Sequence, residues 1–276
     1  MSGYPNNGIW LVDSGASVGN TSYVSSDDTT NVTLHPTLTL NTLLPCGATA
    51  PPSASTGSTA TPPVTVTLGA AEDTYITADT TNGAYILNYG KDTTMYVGEV
   101  GTSPDLEQRL LLKFDVSGIP PGSVITSATL RLTLNKIMSG SAANSTKSLD
   151  AYALTQSFVE GTSSLVNSCP TGASWTNRDC GVGWTTWGGT YDATTKYATG
   201  RVESSGASPL PGSFVSGWVT WDLTALAQGW VDGVIVNNGF LVKSNDTDQT
   251  YSLQFLTKEN NSSGGKYAPQ LVVVYQ

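Results

Sequence analysis

Apolar and polar positions alternate in short runs along most of this chain. Arg109–Asp115 is the clearest run, with Leu110, Leu112 and Phe114 on one face and Leu111 and Lys113 on the other. A period of two is the mark of a β-strand, whose successive side chains point to opposite sides of a sheet. Similar runs occur at Val64–Leu68, Asp73–Ile76, Thr94–Val97, Ser127–Leu134, Leu149–Leu154, Trp218–Asp222, Gly239–Lys243, Tyr251–Leu256 and Gln270–Tyr275. Clusters of Gly, Pro and Asn separate them, and Ile119-Pro120-Pro121-Gly122 reads as a turn. One short helix is expected, capped by Asp222 or Thr224, running through Ala225–Trp230 and stopped by Gly233. Many strands and one helix predict an all-β fold, a jelly-roll-like β-sandwich.

The pattern divides the chain in three. Residues 1–48 carry brief apolar strokes, Ile9-Trp10-Leu11-Val12, and then an alternating run of Val32, Leu34, Leu38 and Leu40. That is too little apolar surface for a core of its own, so an extended, strand-forming arm is expected. Such an arm can add a strand to the open sheet edge of a neighbouring subunit. Residues 49–63, rich in Pro, Ser, Thr and Ala, form a linker. Residues 64–276 form the sandwich.

Composition narrows the function. Charged residues are 12% of the chain, about half the usual share, and Thr, Ser, Gly and Asn take their place. A net charge of −9 with no basic run argues against nucleic acid as a partner. No apolar stretch is long enough to span a bilayer as a helix, and the start shows no secretory signal. Of the three cysteines, Cys169 and Cys180 flank a Gly-, Ser- and Asn-rich loop and are expected to pair. Two free thiols are the alternative. Cys46 is left over, buried or joined to another chain.

Several runs in the third segment resemble a known family. They are Asn88-Tyr89-Gly90, Met95-Tyr96-Val97-Gly98, the strand from Arg109 to Pro120, Ile125–Leu132, Trp187-Gly188-Gly189, Val219–Thr224, Trp230–Gly233, Asn237–Leu241 and Ala268–Tyr275. Their order resembles the DNRLRE, or disaggregatase-related, domain family of extracellular β-sandwich modules. The name-giving run is reduced here to Leu106-Glu107-Gln108-Arg109-Leu110. The resemblance implies an extracellular sandwich over residues 64–276. Some family members are classed as carbohydrate-binding modules.

Catalytic machinery is not expected. The lone histidine, His35, sits in the arm, and no phosphate-binding loop is present. Glu72, Asp73 and Asp222 flank strands and are the candidate ligands of a structural calcium ion. Trp175, Trp184, Trp187 and Tyr191 crowd a Gly-rich segment and are the candidate platform for sugar rings, with core packing as the alternative. The leading expectation is a non-catalytic structural or adhesion module at an extracellular or virion surface. It would be a capsid decoration or tail protein or a filament subunit, docked through its arm to other subunits. A free carbohydrate-binding module of a secreted or cell-surface protein is the alternative.

Overall fold

The computed structural model describes residues 62–99, 106–139, 146–164, 172–203, 217–244 and 251–276. All belong to the unit Thr59–Gln276. The arm residues Ile9, Trp10, Leu11, Val12, Val32, Leu34, Leu38 and Leu40, with His35, Cys46 and Cys169, lie outside the described residues.

The fold is all-β. Its strands are β1 (Val64–Thr77), β2 (Thr94–Glu99), β3 (Glu107–Phe114), β4 (Ile125–Ser139), β5 (Thr146–Leu154), β6 (Asn177–Asp179), β7 (Val182–Gly183), β8 (Tyr191–Glu203), β9 (Trp218–Asp222), β10 (Phe240–Ser244), β11 (Tyr251–Leu256) and β12 (Gln270–Tyr275). The helix α1 spans Thr224–Val231, one residue longer at each end than expected, and its N-cap is Leu223, with no side-chain cap bond, in place of Asp222 or Thr224. The Val64–Leu68 and Asp73–Ile76 runs are one strand, bent at a bulge between Ala70 and Glu72. A bulge lets a strand turn from one sheet into another. The first part of β1 pairs with β12, and the second part pairs with β3.

Two antiparallel layers result, arranged like a β-sandwich. One runs from β1 through β12 to β4, with β9 and β11 also on β4 and β2 on β11. The other runs from β1 through β3, β10 and β5 to β8, and β2 also pairs with β3, so among the described residues the two layers are parts of one continuous ten-stranded sheet. Leu110, Leu112 and Phe114 face inward, as the alternation predicts, and meet Leu130, Leu132, Trp221, Phe240 and Phe255. Trp221 donates its Nε1–H to the Leu149 carbonyl at 2.9 Å, so its one polar atom is satisfied in the core. Gly200 lies under that ring. A Cβ there would sit 2.2 Å from it, which explains a glycine within β8.

The other face of the second layer is also apolar. Ile76, Leu111, Leu154 and Leu241 pack with Phe158, Ala173 and Trp184. The last three come from the segment after β5, which crosses the outside of the layer instead of leaving it to solvent. Each large side chain buried this way contributes about 1.5–3 kcal/mol.

Candidate functional site

The segment covering the outer face is held by buried polar knots. Asn88 has no exposed surface. Its amide donates to the carbonyls of Glu160 at 2.7 Å and Ala173 at 2.9 Å. Its side-chain oxygen accepts from the backbone N–H of Gly90 and of Ser163 at 3.2 Å each. A Cβ on Gly90 would sit 2.2 Å from the Glu160 carbonyl oxygen. The Asn88-Tyr89-Gly90 run is therefore a clasp between the β1–β2 connection and the cover.

A second clasp is built on Arg109. Its Nε and Nη2 donate to both carboxylate oxygens of Glu107, at 2.9 and 2.6 Å. Nη1 donates to the Gly188 carbonyl at 2.7 Å. The guanidinium lies 4.7 Å from the centre of the Trp175 ring and 5.7 Å from that of Tyr191. Tyr191 in turn meets Tyr152, with ring centres 5.1 Å apart. A planar cation stacks well on aromatic faces. The result is a row of Tyr152, Tyr191, Arg109 and Trp175 along the outer face.

The loop joining β7 to β8 is fixed to the end of this row. Gly188 N–H donates to the Trp175 carbonyl at 2.7 Å, and Thr186 N–H donates to Thr190 Oγ1 at 3.0 Å. Gly188 and Gly189 have φ of 84° and 91°, the left-handed region that glycine tolerates. A side chain at Gly188 would also strike Arg109 and Trp175, at 2.7 and 2.8 Å. At the head of this braced turn stands Trp187. It is 64% exposed, and among the described residues it is the one exposed tryptophan.

The four aromatic candidates thus take different positions. Trp175 and Tyr191 are half-buried members of the row. Trp187 is presented to solvent. Trp184 is 5% exposed, packs in the outer apolar cluster and donates its Nε1–H to the Ser174 carbonyl at 2.9 Å. It offers no face to a ligand, because burial and its hydrogen bond use both its ring and its polar atom.

The acidic candidates also separate. Asp222 is exposed and accepts from Thr224 N–H and Oγ1–H at the start of α1, so it serves the helix and does not join Glu72 and Asp73. Glu72 pairs with Lys113 at 3.1 Å and accepts from the Glu160 N–H. Asp73 instead converges with Glu160 and Glu259, with one oxygen from each inside a 4.8 Å spread. Burial holds the Asp73 carboxyl well above the usual carboxylate range, and the Glu259 charge adds to that. Glu160 is raised as well, chiefly by burial, against the hydrogen bond from Lys258. Burial opposes the charge on Lys258, but its bonds to Glu160 and Glu259 win and hold its pKa above the ordinary value.

Residues 64–177 match carbohydrate-binding module family 96. The match opens at β1 and closes just past Trp175, so it takes in Asn88, Glu107, Arg109, Tyr152 and Glu160. Among curated proteins, none matches the chain. The similarity is thus to a carbohydrate-binding family, over a shorter stretch than residues 64–276, and Trp187 lies beyond it. Sequence reasoning missed Glu107, Arg109, Tyr152, Glu160 and Lys258 as site residues, and it read Glu259 as a turn or capping acid beside a strand. Of these, Glu107 and Arg109 stood inside a family-like run and could have been found there. Cys180 is disulfide-bonded, and the other two cysteines lie outside the described residues.

Proposed function

We propose that this protein is a non-catalytic carbohydrate-binding module that meets polysaccharide through Trp187. The family match over residues 64–177 supports carbohydrate as the ligand class. The observation that carries the site is Trp187 itself. Solvent-exposed indole surface is costly, and here the loop beneath it is braced by Arg109, Gly188 and Gly189 so that the ring stays outward. A flat, fixed aromatic face suits the apolar face of a sugar ring, and the half-buried Trp175, Tyr191 and Tyr152 extend the surface. An extracellular setting and a Cys169–Cys180 bridge belong to the same reading, as does kinship with the disaggregatase-related modules. Carbohydrate binding takes first place over the capsid or filament role, because neither the family match nor any described residue supports docking of the arm.

The test is retention of the full chain on an array of neutral and acidic polysaccharides, beside a Trp187→Ala variant of equal melting temperature. The parent is expected to be retained on at least one polysaccharide and the variant to be lost from it. Equal retention of both would move the site away from Trp187. No retention of the parent on any polysaccharide would sink the carbohydrate reading.

A further inference from the structure

We propose that Asp73, Glu160 and Glu259 form a binding site for a divalent cation of the calcium class. The three acids come from separate places: Asp73 from β1 just past its bulge, Glu160 from the cover after β5, and Glu259 from the turn after β11. Asp73 has no exposed surface. Its Oδ2 accepts from the Lys258 N–H at 2.9 Å, but its Oδ1 is buried without any partner. Glu259 repeats this arrangement. One of its oxygens is bonded to Lys258 Nζ, and Oε2 is buried without a partner. Glu160 Oε1 accepts from the Asp73 N–H at 3.1 Å and from Lys258 Nζ at 2.5 Å.

Only Glu160 and Glu259 are paired with the Lys258 ammonium group, Asp73 has just the Lys258 backbone N–H, and two carboxylate oxygens are buried without a hydrogen-bond donor. An unpaired buried acceptor is expensive, and a buried carboxylate more so. A cation placed among the three would satisfy both oxygens and offset the surplus negative charge. The donors are all oxygen, the hard set that calcium prefers. Calcium holds oxygens at about 2.3–2.6 Å, so ligands on opposite sides of the ion lie roughly 4.6–5.2 Å apart. The carboxylate oxygens here lie within 4.8 Å of one another. Magnesium needs a tighter and more regular shell, which three side chains from three segments supply poorly. Bound there, the ion would tie the cover segment to β1 and to the turn after β11.

The experiment uses the full chain, stripped with a chelator and titrated with calcium chloride or magnesium chloride. Calorimetry reads binding, and thermal unfolding reads stability. One calcium per chain is expected, with a melting temperature several degrees higher and a smaller response to magnesium. Asp73→Asn and Glu259→Gln are each expected to weaken calcium binding by about tenfold or more. Glu259 is partly exposed, at 23% of its side chain, so its variant remains informative if Asp73→Asn does not fold. No binding by the parent at millimolar calcium overturns the proposal. So does binding of unchanged affinity in Glu259→Gln. Both readouts are made without sugar, so failure here leaves the carbohydrate reading standing, and failure on the polysaccharide array leaves this one standing.

Discussion

The two faces of β3 are both apolar, yet they are covered in different ways. Leu110, Leu112 and Phe114 share one core with Leu130, Leu132, Trp221 and Phe255 of β4, β9 and β11, where the sheet folds over on itself. Leu111, on the other side, meets Phe158, Ala173 and Trp184 from an irregular segment fastened by Asn88 and Arg109. The inner face needs only side chains of the right size. The outer cover needs particular polar partners and glycines, because its backbone groups have no ladder to satisfy them. Both candidate sites lie on the cover. It supplies Glu160 to the acid cluster, and Trp175 and Trp187 to the aromatic surface. One face specifies the fold, and the other carries chemistry on top of it.

Paired truncations give the largest effects and test that division. Phe114→Ala removes a ring that has no exposure and stacks on Phe240 with centres 6.2 Å apart. It should cost about 3–5 kcal/mol. Urea unfolding would read this, while the protein that remains folded keeps its polysaccharide retention. Trp184→Ala should cost about 3 kcal/mol, since the cover can partly collapse, and it should lower retention as well. If Trp184→Ala left retention intact, the cover would not be what positions Trp187. A change near zero for Phe114→Ala would break the assigned register of β3.

A smaller effect is expected at the Arg109 clasp. Arg109→Met keeps the stem but deletes the bonds to Glu107 and Gly188. Glu107 keeps Lys243, at 3.6 Å, as a cation partner. Arg109 is 12% exposed, so solvent replaces those bonds poorly, and a loss of about 1.5–3 kcal/mol is expected. Hydrogen exchange should speed up around Thr185–Thr190 and not in β3. Exchange that rose equally in both would mean Arg109 supports the sheet and not the loop.

These contrasts also show what could be read from the chain itself. The period of two at Arg109–Asp115 correctly assigns Leu110, Leu112 and Phe114 to the core, because a strand's geometry leaves no other choice. Trp218–Asp222, Tyr251–Leu256 and Gln270–Tyr275 coincide with strands for the same reason. β8 was invisible, because Tyr191–Glu203 is rich in Thr, with little apolar alternation. Its structure comes from pairing with β5 and from Gly200 passing beneath Trp221. Trp184 and Trp187 have the same local signature of Gly and Thr neighbours, and only the fold buries one and exposes the other. Glu160 and Asp73 are 87 residues apart, and Glu160 and Lys258 are 98 apart. No local pattern could join them. Topology does.

The smallest effect is expected from removing residues 1–61. Among the described residues, the two apolar clusters are built from Val66 and beyond, so deleting the arm and most of the linker takes none of these core side chains. Unfolding free energy should change by less than about 0.5 kcal/mol, as for surface changes in general. One edge makes this a test and not a formality. Val64–Gly69 pairs with β12, and among the described residues no strand lies on its other side. Val64 is 40% exposed there. An open edge is a template for strand addition, and the alternating run from Val32 to Leu40 is the kind of segment that could fill it. If the truncated protein melts several degrees lower, a strand from residues 1–61 is holding that edge within the same chain. If melting is unchanged and the truncated protein stays monomeric and keeps its polysaccharide retention, residues 62–276 suffice for both folding and binding. If melting is unchanged but the full chain self-associates where the truncated one does not, the arm serves a neighbouring subunit, and the docking role excluded from first place here would regain it.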